Sequence, residues 1–171
     1  MSGSLVLLQE TTITSPTASV TLTCISDSFN VYQVIINDCV GENETNFNMR
    51  VTTSGTAQTD SNYDTASRVF KSFSGFGTTT DENEAQFKIN SAVGSDSNES
   101  TNHIIYLFNF PNSSEFSFYT NESIKLNASG QAEAFMGGGM KTTAEANDGV
   151  NFFFSSGDIE TGSFQLFALV K

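Results

Sequence analysis

Apolar and polar residues alternate with a period of two along most of the chain. In Ser19-Val20-Thr21-Leu22-Thr23-Cys24, the side chains of Val20, Leu22 and Cys24 fall on one side of an extended backbone and the threonines on the other, the pattern of a half-buried strand. Val31 to Asn37 is a second strand, dense in β-branched residues. Asp27-Ser28 between the two supplies turn chemistry for a hairpin or a crossing between sheets. Phe47, Met49 and Val51 alternate with Asn46, Asn48 and Arg50, Phe87 and Ile89 with Gln86 and Lys88, and Phe116 and Phe118 with Ser117 and Tyr119. Arg68 to Phe73, Ile104 to Phe110, Gln131 to Met136, Val150 to Phe154 and Ser163 to Val170 are further strands.

About ten short strands separated by segments rich in Gly, Ser, Asn, Asp and Thr, with no apolar stripe of helical period, predict an all-β fold. The expected architecture is an antiparallel two-sheet β-sandwich, jelly-roll-like, over residues 18–171, preceded by an N-terminal strand or arm over residues 1–17. Two runs, Ile104 to Phe108 and Val150 to Phe154, lack clean alternation. They read as strands covered on both sides, one by the core and the other by a loop or partner. Ser54 to Asn62 and Ser91 to Asn102 read as long polar loops.

Composition sharpens the picture in two places. Sixteen Phe and four Tyr supply a core even though only 37% of residues are hydrophobic. Nineteen acids against seven bases, a formal charge of −12, repel phosphate backbones and anionic headgroups, so neither nucleic acid nor a membrane surface is an expected partner. Cys24 and Cys39 are out of hairpin register with each other and are expected as free, buried thiols, a bridge across the sheets being the alternative. No basic N-terminal segment precedes the apolar run Leu5 to Leu8, which is too short for a signal core, so synthesis in the cytoplasm without a signal peptide is expected.

Chemistry is sparse. His103 has no motif partner and no Gly-x-Ser-x-Gly elbow occurs, so no nucleophile and base pair is marked. One His and two separated Cys give no zinc spacing, and Asp81-Glu82-Asn83-Glu84 lacks a calcium-loop pattern and reads as a solvated charge run. Gly137-Gly138-Gly139 is not followed by Lys-Ser/Thr and reads as a flexible turn rather than a phosphate cradle. Five Asn-x-Ser/Thr triplets, at Asn43, Asn98, Asn112, Asn121 and Asn127, are expected from an Asn- and Ser-rich composition. No catalytic residue, cofactor or metal ligand is therefore assigned, and the chain is expected not to be an enzyme. The one contact assignment is Leu5, Val6, Leu7 and Leu8: four apolar residues near a terminus need a sheet edge or a neighbour to cover them.

The closing segment, Ala144 to Lys171, with Gly149-Val150-Asn151-Phe152-Phe153-Phe154-Ser155-Ser156-Gly157-Asp158 followed by Gly162-Ser163-Phe164-Gln165-Leu166-Phe167, resembles the C-terminal hairpin of small β-sandwich virion proteins of tailed bacteriophages, marine and cyanobacterial ones above all. Phe29 to Asn37, Asn48-Met49-Arg50-Val51 leading to Ser61-Asn62-Tyr63, and Ile104 to Phe110 share that likeness, which spans about residues 18 to 171. Phe167-Ala168 stands where the family often has Tyr-Gly, and Asn30 where an acid is frequent. The resemblance implies a non-enzymatic structural protein on the virion surface, a capsid decoration or cement protein. Its implied partners are major capsid or tail proteins and further copies of itself. The alternative it leaves open is a receptor- or carbohydrate-binding tail module, with the two polar loops meeting a host surface glycan.

Overall fold

In the computed structural model, which describes residues 4–170, the regular elements are all β-strands. They are β1 (Ser4–Ile13), β2 (Val20–Leu22), β3 (Val31–Gly41), β4 (Thr45–Thr53), β5 (Thr56–Ala57), β6 (Tyr63–Lys71), β7 (Gly75–Glu84), β8 (Phe87–Val93), β9 (Thr101–Phe108), β10 (Ser117–Leu126), β11 (Ala132–Lys141), β12 (Gly149–Phe154) and β13 (Ile159–Val170). An eight-stranded antiparallel sheet runs in the order β1-β13-β3-β9-β10-β11-β6-β7. A smaller sheet, β2-β12-β4-β5, packs against it, with β8 also paired to β4. The chain crosses between sheets at Asp27-Ser28, so β2 and β3 are not a hairpin.

The core is the space between the sheets, filled by the inward alternate residues of each strand. From β3 these are Tyr32, Val34 and Ile36, from β13 Phe164, Leu166 and Ala168, and from β4 Phe47, Met49 and Val51, all fully buried. Phe47 is the hub, with ring centroids 4.8 Å from Phe154, 6.1 Å from Phe152 and 5.4 Å from His103. A second aromatic group, Tyr63, Phe87 and Tyr119, closes the other end at 4.7 and 4.5 Å. β8 lies over β10, β11 and β6, whereas β7 extends past the smaller sheet and has neither face buried.

Several strands differ from the sequence reading. β1 is an edge strand of the large sheet, paired with β13 from Ser4↔Val170 to Ile13↔Gly162, and Gln9 ties it to the small sheet by accepting from the Thr23 N–H at 2.9 Å. β7 carries one large apolar residue, Phe76; an edge strand with no buried face needs no alternation, so its run of threonines was its remaining signal. β10 is turned over: Ser117 and Tyr119 are buried, while Phe116 and Phe118 are 40% exposed.

Gly137-Gly138-Gly139 is not a turn but the middle of β11. A Cβ at Gly138 would run into the Tyr119 carbonyl oxygen, and one at Gly139 into that of Asp64. The glycines let β10 and β6 close in on β11 from both sides. The two long loops also shrink: Thr56–Ala57 forms β5, and β8 and β9 leave only residues 94–100 between them. Cys39 is buried and free as expected, but Cys24 lies past the end of β2 and is exposed.

Candidate functional site

His103 occupies the inner face of β9, where polar side chains of β9 itself, of the paired strand β10 and of β8 in the facing sheet surround it. Its Nδ1 is 3.0 Å from Asn121 Oδ1, and the Asn121 amide donates to the Ile89 carbonyl at 2.9 Å, which fixes Oδ1 as an acceptor and Nδ1–H as the donor. Nε2 then accepts from the Thr101 hydroxyl at 2.8 Å, and that hydroxyl accepts from Asn90 at 3.1 Å. Every ring nitrogen is used within the core. Burial holds the imidazole well below its ordinary basicity, at a pKa of about 4, partly opposed by the Asn121 hydrogen bond. The ring is a neutral structural group. The same network consumes Asn121, one of the five Asn-x-Ser/Thr triplets, which is buried.

The polar character of this end of the core continues through Lys125, whose ammonium is 2.9 Å from Glu133 and donates to the Ala92 carbonyl at 2.6 Å. Burial lowers its pKa, against the pull of Glu133. Among the described residues no cluster of three or more His, Cys, Asp and Glu is placed to hold a metal. Asp81, in the acidic run, pairs with Lys88 at 2.9 Å.

The exposed side of the large sheet is the unusual surface. Outward positions of a water-facing antiparallel sheet are ordinarily polar. Here Ile104, Phe118, Ile124, Met136, Phe70 and Phe76 all point outward and are 40–67% exposed. They lie in cross-strand rows. One runs Ile35, Ile104, Glu122, Met136, Arg68, Thr78 across β3, β9, β10, β11, β6 and β7. The next runs Asn102, Ile124, Ala134, Phe70, Phe76. A shallow groove of about 450 Å³ follows these rows between Ile35, Ile124 and Met136, and a hollow of about 420 Å³ continues it between Ile124 and Phe76.

The small sheet provides the contrast. Its outer positions are Thr21, Asn48, Arg50 and Asn151; Asn48 donates to Ser155 at 2.9 Å and Asn151 to Thr21 at 2.8 Å. The guanidinium of Arg50 covers the Phe153 ring at 4.4 Å, so Val150 to Phe154 is covered on both sides by its own chain. Ile104 to Phe108 has no such cover on its outer side.

The contact residues assigned from sequence stand at one edge of the large sheet. Leu5, Val6 and Leu7 on β1 are 42–47% exposed, whereas Leu8, at a bulge between Leu7 and Gln9, packs against the core. Leu5 pairs with Leu169 and Leu7 with Phe167 on the outer face, which puts a second apolar patch at this edge. Of the larger patch between β9 and β7, the sequence reading marked only Ile104 to Phe108, as a strand with a loop or partner on its outer side. A further signal lay in β10, where Phe118, Thr120, Glu122 and Ile124 alternate with a strand side more polar still. The arrangement suits docking of an apolar surface rather than bond chemistry.

Comparison of the chain with protein-family models, curated proteins and solved structures gives no match.

Proposed function

We propose that this chain is a structural assembly protein, acting non-enzymatically on the surface of a tailed-phage particle as a capsid decoration or cement subunit. The observation that carries the assembly role is the apolar outer face of the eight-stranded sheet, which no part of the described chain covers. The likeness of residues 144–171 to the closing hairpin of phage virion sandwiches supports the particle. Two further observations favour a structural part: the one histidine is spent inside the core, and the Lys125–Glu133 pair is enclosed rather than presented to a cleft.

On this reading the edge patch of Leu5, Leu7, Phe167 and Leu169 meets a capsid or tail protein. The glycan-binding alternative keeps shorter contact loops than expected, since β5 interrupts the first polar segment and β8 and β9 take both ends of the second. Quantitative mass spectrometry of purified particles of the encoding phage tests the proposal. The expected result is a copy number close to a simple multiple of the major capsid protein's symmetry units. Absence from the particle overturns the proposal. Introducing Leu5→Asp and Leu7→Asp together is expected to lower the bound copy number while the protein stays folded, because both side chains are already half in water.

A further inference from the structure

The part of the outer face between β9 and β7 is complementary to itself. Met136 is the centre of its middle row, with Glu122 one strand away on β10 and Arg68 one strand away on β6. Strands in a sheet are spaced about 4.8 Å apart, so the carboxylate and the guanidinium stand on opposite sides of Met136 at equal offsets. A twofold axis lying in the interface along β11 exchanges the two sides. It sets Glu122 of one copy over Arg68 of the other, twice.

The neighbouring rows obey the same operation. Ile124 and Phe70 flank Ala134, so each Ile124 comes over a Phe70, and Thr120 and Ala66 flank Gly138. At the rim, Phe118 comes over Asp64, whose carboxylate already accepts the Asn83 N–H at 2.9 Å. The small residues Ala134 and Gly138 on either side of Met136 leave room along the axis for the two methionines.

Charge and area point the same way. Of nineteen acids, Glu122 alone stands in the middle of this patch, matched by Arg68, so the strong negative charge of the chain does not oppose contact there. Both are exposed, and neither forms an ion pair among the described residues; the Arg68 guanidinium rests 5.5 Å from the Phe76 centroid. Ile104, Tyr106, Phe118, Ile124, Met136, Phe70 and Phe76 are 38–67% exposed. At about 200 Å² for a large side chain, they present on the order of 600 Å² of apolar surface. With Arg68, Glu122 and the intervening threonines, this approaches the ~800 Å² per partner of a standard stable interface.

We infer that a second copy of this chain covers the β9–β7 half of the sheet, in a face-to-face twofold dimer centred on Met136 and registered by reciprocal Arg68–Glu122 pairs. The inference rests on reading the outer face as an assembly surface, but it concerns contact between copies and not attachment to a particle. Sedimentation velocity of the full chain tests it. The native protein is expected to be a dimer at about 100 μM, and Arg68→Glu or Glu122→Arg alone to weaken dimerisation at least about tenfold by setting like charges face to face. Combining Arg68→Glu with Glu122→Arg is expected to restore it, which misfolding would not do.

A monomeric native protein at that concentration overturns the inference. So does a dimer of equal strength in all four proteins, which would place the contact elsewhere, at the β1 edge for instance. A monomer that still binds purified particles would overturn the dimer and leave the proposed function standing. A dimer absent from particles would do the reverse.

Discussion

A histidine kept neutral inside a core has a definite energetic consequence. His103 in the folded chain titrates near pH 4, against an ordinary value of 6.5. The unfolded chain therefore takes up a proton first as pH falls, and folding loses stability between pH 6.5 and 4 while the contribution stays intact above 6.5. At about 1.4 kcal/mol per tenfold change in proton affinity, stability at pH 5 is expected to be about 2 kcal/mol below that at pH 7. Urea unfolding at the two pH values measures it, and His103→Leu, although less stable overall, is expected to lose most of the difference. An unchanged pH dependence in that variant would assign the effect to carboxylates instead. Along the chain His103 looks partnerless because its partners come from strand pairing: Asn121 is 18 residues away and Thr101, two along, shares its face. The expectation of a buried Cys24 fails for a related reason, since the alternation of Val20 and Leu22 stops where β2 stops, two residues before it.

Strands with apolar residues inward and polar ones outward were legible from alternation, as β4 and β8 illustrate with Met49 and Ile89 inside. Alternation failed where burial did not follow polarity. β10 buries Ser117, Asn121, Ser123 and Lys125 because β9, β8 and β11 bring His103, Asn90 and Glu133 to meet them, and it leaves Phe118 and Ile124 outside. Its orientation is a property of neighbours that no window on the chain contains. The glycines of β11 are a second case, since what they permit is the approach of backbones from β6 and β10. Gly139→Ala would drive its methyl into the Asp64 carbonyl oxygen and to within 2.7 Å of the Tyr119 ring. The expected cost is at least about 2 kcal/mol, through strand displacement next to a fully packed core. Gly130, in the β10–β11 turn with nothing within 4 Å of an added methyl, serves as the comparison, although its φ of +66° carries its own smaller strain of about 1 kcal/mol. Chemical denaturation of the two variants separates crowding from backbone preference. Equal losses would mean that the sheet at Gly139 yields without cost.

For the molecule as a whole, the sign of its electrostatics decides how it responds to salt. Four of the seven basic residues, Lys71, Lys88, Lys125 and Lys141, are held in ion pairs with Glu133, Asp81 and Glu145, and Arg50 and Arg68 lie over phenylalanine rings. Three acids are thus matched, and most of the nineteen acidic residues are exposed to water with no ion-pair partner among the described residues. Folding draws those charges together, whereas the unfolded chain spreads them over a far larger volume, so self-repulsion counts against the compact state. Added salt shortens the screening length from about 30 Å at 0.01 M to about 10 Å at 0.1 M and weakens repulsion more than it weakens the partly buried pairs. Stability in urea, a denaturant without charge, is therefore expected to rise with sodium chloride, by about 1 to 2 kcal/mol between those concentrations. The measurement is made at one fixed protein concentration, below that at which copies associate, so that self-association does not enter. A fall in stability with salt would mean that the Lys125–Glu133 and Lys88–Asp81 pairs outweigh the repulsion, and that the acids are spread widely enough over the sandwich to leave its folding unopposed.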